Sequence, residues 1–386
     1  MPQLSNRTNT FTESVIRKMT RISNEYNAVN LSQGFPDFDP PQQLIDSLSS
    51  LGTKGPHQYS ITWGANNFRE ALARKQLHFQ GRTIDPNSEV VVTCGSTEAM
   101  MAAMMSVCNP GDKVIIFSPF YENYTADTIL TGAIPIYVPL TPPTFTFDVD
   151  ELERAFKQGP KALVLCNPSN PTGKVFTREE LLIIADFAEK YDTFVITDEV
   201  YEHIVYEPYE HVYFASLPNM FERTISCSSL SKTYSITGWR LGYIIAPPHI
   251  IDVAKKVHDF LTVGAAAPLQ EAAVVGLNFG DDYYTDLRDK YTHMRSLFCD
   301  GLDRIGLNYV KPQGTYYVMV DISEFGYDKD SEFCETLIEK IGVAAVPGSS
   351  FFREDINQYI RFHFAKKDET LYEALNRLER IKQLVR

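Results

Sequence analysis

A lysine set among hydroxyl side chains is the part of this sequence best suited to chemistry. It is Lys232, which follows Ser229 and Ser231 and lies eight positions before Arg240. An ammonium group is costly to bury, and burial lowers its pKa. A lysine with a lowered pKa can form a Schiff base with a carbonyl compound. The segment therefore predicts a lysine that bonds to a carbonyl-bearing ligand, with a solvated surface lysine as the alternative.

The surroundings of Lys232 also suit a phosphate group, because nearby hydroxyls and the Arg240 guanidinium could hold one together. A second candidate is Gly95–Glu98, which lies between an apolar strand and a helical segment. A helix N-terminus offers free N–H groups and the positive end of a dipole to an anion. Ser96 as an ordinary helix cap is the alternative. A phosphate beside a reactive lysine predicts pyridoxal phosphate (PLP), which supplies the carbonyl.

Residues that could hold an aromatic ring follow other predicted strands. Asp198 closes an apolar strand, where an unpaired carboxylate is expensive, so its expected partner is a pyridinium N–H or a structural cation. Asn170 lies in a turn rich in Pro and Gly, and it could donate a hydrogen bond to a ligand. Tyr201 could donate to the phenolic oxygen of the same ring. Tyr121 could stack on the ring, with aromatic core packing as the alternative.

Two further positions suit a carboxylate. Arg361 alternates with apolar residues in a predicted strand and could bind a carboxylate through two hydrogen bonds. A solvated arginine on an exposed sheet face is the alternative. Gly34 permits close approach of the backbone to a ligand, or marks only a turn.

The elements that must position these residues alternate between strand and helix. A chain of 386 residues predicts two domains. Alternation of this kind predicts an α/β domain with a mostly parallel sheet, and such sheets bind ligands beyond the carboxyl ends of their strands. After about residue 280 the pattern indicates a smaller α+β domain. We expect an N-terminal arm over residues 1–35 that packs with the small domain, a large domain over 36–280 and the small domain over 281–386.

Composition excludes several classes of protein. The net charge of −13 (36 basic and 49 acidic residues) disfavours nucleic acid or an anionic membrane as the main partner. The six cysteines show neither zinc-site spacing nor a disulfide framework, and no metal site is expected. No Gly-x-Gly-x-x-Gly follows a strand, which disfavours a nicotinamide dehydrogenase. With no signal peptide or apolar span recognised, a cytoplasmic protein is expected.

Taken in order, these motifs resemble the class I/II PLP-dependent aminotransferases of fold type I. The resemblance covers nearly the whole chain, and its most specific parts are Asn170–Gly173, Asp198–Tyr201 and Ser229–Lys232 with Arg240. It implies a large domain with a mostly parallel seven-stranded sheet between helices. It also implies that Lys232 forms the Schiff base, that Asp198 binds the pyridine nitrogen, and that Asn170 and Tyr201 donate to the ring hydroxyl.

The resemblance assigns the remaining positions as well. Tyr121 matches the aromatic that stacks on the ring, and Arg361 with the backbone of Gly34 matches the site of the substrate α-carboxylate. Tyr59 matches a tyrosine that reaches the phosphate of the neighbouring subunit, which implies a homodimer. The residues that match the phosphate-binding group are Ser96, Thr97, Ser229 and Arg240.

The substrate class follows less directly. Leu31–Phe38 and Thr237–Arg240 resemble the subgroup that holds kynurenine/glutamine and methionine aminotransferases. Aspartate enzymes of the family place a second arginine in the substrate side-chain pocket, and the expected region, 260–268, has none. We therefore expect an apolar, aromatic or sulfur-bearing donor, such as methionine, glutamine or kynurenine. Trp63 and Tyr124 are candidates to line its pocket.

Two alternatives stay open within this fold. The same site could catalyse β-elimination from cysteine S-conjugates, because a good leaving group at Cβ decides between the two outcomes. A catalytically silent regulatory protein is the other alternative. The presence of both Lys232 and Asp198 argues against it.

Overall fold

The computed structural model describes residues 13–386, together with Ser5 and Asn9. The other residues of the predicted arm, 1–4, 6–8 and 10–12, lie outside the described residues. The α-helices of the described chain are α1 (Val15–Glu25), α2 (Gln42–Leu51), α3 (Asn66–Gln80), α4 (Ser96–Val107), α5 (Asn123–Leu130), α6 (Val149–Phe156), α7 (Arg178–Lys190), α8 (Pro248–Thr262), α9 (Ala267–Leu277), α10 (Asp281–Ile305), α11 (Asp330–Thr336) and α12 (Asp368–Leu378). None of the helices described is long and apolar enough to cross a membrane.

The strands fall into one large and two small sheets. They are β1 (Val29–Asn30), β2 (Val90–Thr93), β3 (Lys113–Ser118), β4 (Ile134–Thr141), β5 (Thr146–Phe147), β6 (Ala162–Cys166), β7 (Phe194–Asp198), β8 (Thr224–Ser229), β9 (Gly242–Ile245), β10 (Tyr309–Val310), β11 (Tyr317–Asp321), β12 (Val343–Ala344), β13 (Val346–Pro347) and β14 (Tyr359–His363).

The large sheet has the order β2-β9-β8-β7-β6-β3-β4-β5. Strands β8, β7, β6, β3 and β4 pair in parallel, whereas β9 runs antiparallel to both β8 and β2. The predicted mostly parallel sheet of seven strands is confirmed, and the two-residue β5 adds an eighth at its edge. Because β2 runs with the parallel strands, their carboxyl ends share one edge of the sheet.

Both faces of this sheet are buried, as its apolar strands predict. On β3, Val114 and Ile116 belong to the core beneath α4 and α8. Ile115 and Phe117 alternate with them and belong to the core beneath α6 and α7. Helices therefore cover the sheet on two sides and leave the edge with the strand ends for a ligand.

The C-terminal part of the chain builds an antiparallel sheet of order β10-β11-β14-β13. Its core also receives Met19 of α1 and Leu31. Strand β1 pairs in parallel with β12. The segment around α1 and β1 thus packs with residues from the other end of the chain.

A buried ion pair holds the turn that follows β7. Lys75 of α3 lies 2.7 Å from Glu202, and Tyr243 of β9 donates to the same carboxylate at 3.2 Å. Burial alone would raise the pKa of Glu202, but Lys75 and His203 lower it well below its usual value. The pair connects α3 to the turn that follows Asp198 and therefore helps to fix the geometry of the sheet edge.

We expect Lys75→Met to destabilise the protein by about 3–5 kcal/mol, because it leaves the buried Glu202 carboxylate unpaired. Lys157→Met is the matched control, since Lys157 pairs with Glu153 on the surface and should contribute less than about 1 kcal/mol. The double variant Lys75→Met/Glu202→Leu should recover most of the loss. Denaturant unfolding of the variants measures these differences, and equal effects of the two single substitutions would contradict the role given to the buried pair.

Candidate active site

A cleft of about 960 Å³ opens at the edge where the carboxyl ends of the strands meet. Eleven of the twelve predicted site residues line it, namely Gly34, Ser96, Thr97, Tyr121, Asn170, Asp198, Tyr201, Ser229, Lys232, Arg240 and Arg361. Tyr59, the twelfth, is 86% exposed and is not part of the lining. The candidates come from distant parts of the sequence, and the parallel strands bring all but one of them together.

The start of α4 forms an anion-binding corner of the cleft. The helix begins at Ser96, and the preceding Gly95 has φ +84° and gives the helix no side-chain cap. A Cβ at Gly95 would overlap the Arg240 guanidinium, which explains the glycine. The alternative that Ser96 caps this helix is wrong, because Ser96 is already its first residue. Its hydroxyl, that of Thr97 and the uncapped N–H groups remain available to an anion.

Arg240 is held at the same corner by its backbone. It has φ 54° and ψ 53°, a left-handed conformation that is uncommon for a residue with a Cβ. Its Nη1 donates to the carbonyl of Thr237 at 3.0 Å. Strand β9 begins two residues later, so its antiparallel direction brings Arg240 to the edge where β8 ends with Ser229. The Ser229 hydroxyl accepts from the N–H of Ser231 at 3.3 Å.

Glu98, which also lines the cleft, connects this corner to α8. Its carboxylate lies 2.6 Å from Nδ1 of His258, and it accepts from the hydroxyl of Thr262 at 2.9 Å. Burial opposes ionisation, but these hydrogen bonds lower the pKa of Glu98 overall. The carboxylate form is therefore favoured, although it lies on the wall of an anion-binding cleft, because His258 and Thr262 hydrogen-bond to it.

Asp198 is buried at the end of β7. It accepts hydrogen bonds from the hydroxyl of Tyr124 at 2.7 Å and from the N–H of Val200 at 3.4 Å. Burial raises the pKa of Asp198 to about 6, against the effect of both donors and of Lys232. The carboxylate is thus ionised at neutral pH and can bind a cation. Tyr124, which was predicted to line the pocket, lines the cleft, and its hydroxyl also supports Asp198.

The amine of Lys232 lies over two aromatic rings. Its Nζ is 5.8 Å from the ring centres of both Tyr201 and Tyr316, and 3.5 Å from the carbonyl of Gly34. Burial lowers the pKa of Lys232, and the charges of Arg240 and Arg361 lower it further. This is the direction expected for a lysine that must react as a neutral amine.

The sequence interpretation missed Tyr317, which lines the cleft, and Tyr316, which contacts Gly34. Tyr201 donates to the hydroxyl of Tyr317 at 3.1 Å, and Tyr316 donates to the carbonyl of Gly34 at 2.8 Å. A Cβ at Gly34 would overlap the Tyr317 hydroxyl, so this glycine is required by close packing. The tandem Tyr316-Tyr317 just after Gly314 is the one local signal that could have indicated them.

Arg361 is completely buried, so the alternative of a solvated arginine on an exposed sheet is wrong. Its Nη1 donates to Oδ1 of Asn170 at 2.6 Å, and its Nη2 donates to the carbonyl of Ser32 at 3.1 Å. The guanidinium also lies over the rings of Tyr317 and Phe351. Its Nε is buried without a partner among the described residues, so the guanidinium retains donor capacity for a carboxylate.

The aromatic candidates separate in the structure. Tyr121 lines the cleft and meets the ring of Tyr124 edge-on, at 5.8 Å between ring centres. Trp63 lies outside the cleft lining and packs under Lys255, so its prediction as a pocket residue is wrong. The reason is that Trp63 extends from the loop before α3 towards the core beneath α4 and α8.

Comparison with known proteins identifies the family. Residues 26–378 match the family model described as aminotransferase class I and II. The chain belongs to the class I and II aminotransferases. Its fold agrees with the solved structure of N-succinyldiaminopimelate aminotransferase from Mycobacterium tuberculosis, at a TM-score of 0.94 and 36% identity over 98% of this chain and 99% of that one.

Two further relatives share the predicted subgroup. The methionine aminotransferase of Escherichia coli is 35% identical over 95% of this aminotransferase and 96% of its own length. The kynurenine–oxoglutarate transaminase of Dictyostelium discoideum is 34% identical over 98% and 96%. The resemblance to the class I/II family and to this subgroup is therefore confirmed.

Aminotransferases of this family are PLP-dependent enzymes. The cleft fits that cofactor: the start of α4 with Arg240 matches a phosphate, and the buried Asp198 carboxylate matches a pyridinium. Lys232, with its lowered pKa, matches an aldehyde. The donor set thus contains a partner for each polar part of PLP.

We expect Tyr124→Phe to raise the pKa of Asp198 above about 6, because it removes a donor to the ionised carboxylate. The carboxylate binds a pyridinium only when ionised, so PLP affinity should fall as the pH drops through this pKa. In the variant the loss should begin about one pH unit higher. Titration of the apoprotein with PLP between about pH 5 and 8 measures the shift.

Tyr137→Phe is the control. The Tyr137 hydroxyl contacts Thr125, the neighbour of Tyr124 on α5, and does not contact Asp198. An unchanged pH dependence in Tyr124→Phe would show that this tyrosine does not set the charge of Asp198.

Proposed function

We propose that this aminotransferase moves an amino group from an L-amino acid to a 2-oxo acid in two half-reactions, with ping-pong kinetics. The observation that carries the proposal is the single cleft in which Lys232, Asp198 and Arg361 face one another with the anion-binding start of α4. Aminotransfer needs three such groups in one site: a nucleophilic amine, an ionised carboxylate and a cation that binds the substrate carboxylate.

Lys232 is proposed as the covalent attachment point of the cofactor and as the proton carrier. When bound, PLP supplies an electrophilic carbonyl carbon and a ring that withdraws electrons from the substrate Cα. The lowered pKa favours the neutral form of Nζ, which can accept the Cα proton and later release it.

The polar residues on the cleft walls orient the reacting groups. The Asp198 carboxylate holds a proton on the pyridine nitrogen, and Asn170 donates to the ring oxygen. Tyr201 donates to the same oxygen when its hydroxyl turns away from Tyr317. Tyr121 packs against a ring face. Two hydroxyl-bearing segments, 96–97 and 229–231, bind the phosphate together with Arg240. Each role uses a side chain that lines the cleft.

The substrate α-carboxylate is proposed to bind Arg361 beside the backbone of Gly34. The partnerless Nε and the complete burial of this guanidinium favour a strong, water-excluded contact. Tyr317 packs on its face at 4.1 Å and holds it in place.

The donor side chain is proposed to be apolar, aromatic or sulfur-containing, as in methionine, glutamine or kynurenine. Leu261 lines the cleft, and the segment 260–268 that was expected to approach the side chain contains no arginine. The names of the methionine and kynurenine relatives agree with this choice, whereas that of the N-succinyldiaminopimelate enzyme shows that other donors occur among relatives of similar identity.

We propose a homodimer in which Tyr59 reaches the phosphate in the partner subunit's cleft. Tyr59 is 86% exposed beside a group of exposed apolar side chains. The group comprises Ile61, Phe260, Leu261 and Val263. The two segments adjoin, because Nε2 of His258 lies 2.9 Å from the carbonyl of Thr62. Apolar surface of this kind, next to a cleft, favours a subunit interface.

The domain boundaries and the compartment also remain proposals. Division at residues 35/36 and 280/281 is supported by the pairing of β1 with β12 and by the separate core around β11 and β14. A cytoplasmic location is supported by six free thiols, a state typical of reducing compartments.

The proposed function is tested by the visible absorbance of the PLP-loaded protein before and after addition of single amino acids. Methionine, glutamine or kynurenine should convert the spectrum to that of the pyridoxamine form, and aspartate should not. Absence of any change with all four amino acids would contradict the proposed function.

We expect Lys232→Ala and Lys232→Arg to reduce multiple-turnover transamination by about a thousandfold or more, because both remove the nucleophile and base. The arginine variant retains a cation, so its loss of activity cannot be attributed to missing charge. Lys190→Ala, on the exposed side of α7, is the control. Undiminished turnover in both Lys232 variants would show that another group moves the proton.

We expect mixed dimers to test the role of Tyr59. Subunits with Lys232→Ala and subunits with Tyr59→Ala each form defective homodimers. If Tyr59 acts on the partner's site, a mixed dimer contains one intact cleft, so random mixing restores roughly a quarter of wild-type activity. No restoration after verified subunit exchange would place the action of Tyr59 within its own subunit or exclude it.

A further inference from the structure

One cationic side chain of the cleft has no role in the scheme above. Among the described residues, the lysines and arginines that line the cleft are Arg17, Lys232, Arg240 and Arg361. Three of them are assigned to the cofactor or to the substrate α-carboxylate. Arg17 belongs to the first turn of α1 and lines the mouth together with Gln33 and Phe35.

Helix α1 is fastened at this mouth by its preceding residue. The hydroxyl of Ser14 donates to the carboxylate of Glu122, which directly follows Tyr121. Arg17 therefore lies one helical turn from Ser14, whose contact with Glu122 joins α1 to the cleft wall that carries Tyr121. Its side chain is exposed and makes no ion pair or hydrogen bond with any described residue. Its guanidinium donors are free to bind an anion that enters the cleft.

An aminotransferase must accept two different substrates in one cleft. The wall near Leu261 suits an apolar side chain, and no arginine of 260–268 is present to bind a second carboxylate. A long arginine side chain at the rim can extend into water when an apolar group occupies the cleft, and can turn inward when a carboxylate does. Its position at the solvent edge therefore suits one substrate of the pair without obstructing the other.

We propose that Arg17 binds the distal carboxylate of a dicarboxylic 2-oxo acid and so selects the amino acceptor. The proposal rests on the function proposed above and adds its acceptor class. Arg361 takes the carboxylate next to the keto group, and Arg17 takes the one at the far end. Both contacts are charge-assisted hydrogen bonds, which a guanidinium can make in pairs.

The test measures the second half-reaction of the enzyme converted to its pyridoxamine form by methionine. We expect Arg17→Gln to lower the ratio of kcat/KM for 2-oxoglutarate to that for phenylpyruvate about tenfold, mainly through KM. Arg17→Lys keeps the charge but loses the planar pair of donors, so it should recover part of the ratio.

Arg21→Gln is the matched control. Arg21 lies one turn further along α1 and pairs with Glu13. It does not line the cleft, but lines a separate groove that Arg17 and Gln33 also border. It should leave the ratio and the turnover unchanged. An unchanged ratio in Arg17→Gln would overturn the role of Arg17, even if both acceptors react well. Failure of the wild-type enzyme to react with methionine, glutamine or kynurenine would instead contradict the proposed function, so the two failures are distinguishable.

Discussion

The shared direction of six strands is the constraint on which the cleft depends. Parallel pairing forces β3, β6, β7 and β8 to end at one edge, and β2 joins them through β9. Polar groups lie at the ends of these strands and in the turns that follow, as Asp198 at the end of β7 and Ser229 at the end of β8 show. Because the strands are buried on both faces, this edge is the place where such groups can meet a ligand without disturbing the core.

Burial then sets the charge state of the groups that meet there. It raises the pKa of Asp198 and lowers that of Lys232, so both shifts favour the neutral forms. Neighbouring hydrogen bonds and charges then act differently on the two pKa values. Tyr124 and the N–H of Val200 support the Asp198 carboxylate, whereas Arg240 and Arg361 add to the loss of charge on Lys232. One cleft thereby holds a carboxylate that can ionise and an amine whose neutral form is favoured.

Most of the site could be predicted because its residues directly follow strands in sequence. Asp198 and Lys232 are examples, since a strand end is visible as an apolar run followed by polar residues. The burial of Arg361 could not be predicted in this way, because its alternating pattern resembles a half-exposed strand. In the structure β14 is covered on both sides: Tyr359 joins one core, while Ile360 and Phe362 join the other. Tyr317 escaped prediction since only tertiary packing brings it to Gly34.

The hydrogen bond between Arg361 and Asn170 joins the two sheets, because one residue lies on β14 and the other in the turn after β6. It also fixes which way the amide of Asn170 faces. Since Oδ1 accepts from the guanidinium, the NH₂ group of Asn170 must point elsewhere, as a donor in the cleft. One orientation of the Asn170 amide therefore serves both Arg361, which is proposed to bind the carboxylate, and the ring oxygen. An anion that displaced the guanidinium from Oδ1 would leave the Asn170 amide free to rotate. Binding at Arg361 and binding of the ring oxygen are therefore coupled through this hydrogen bond.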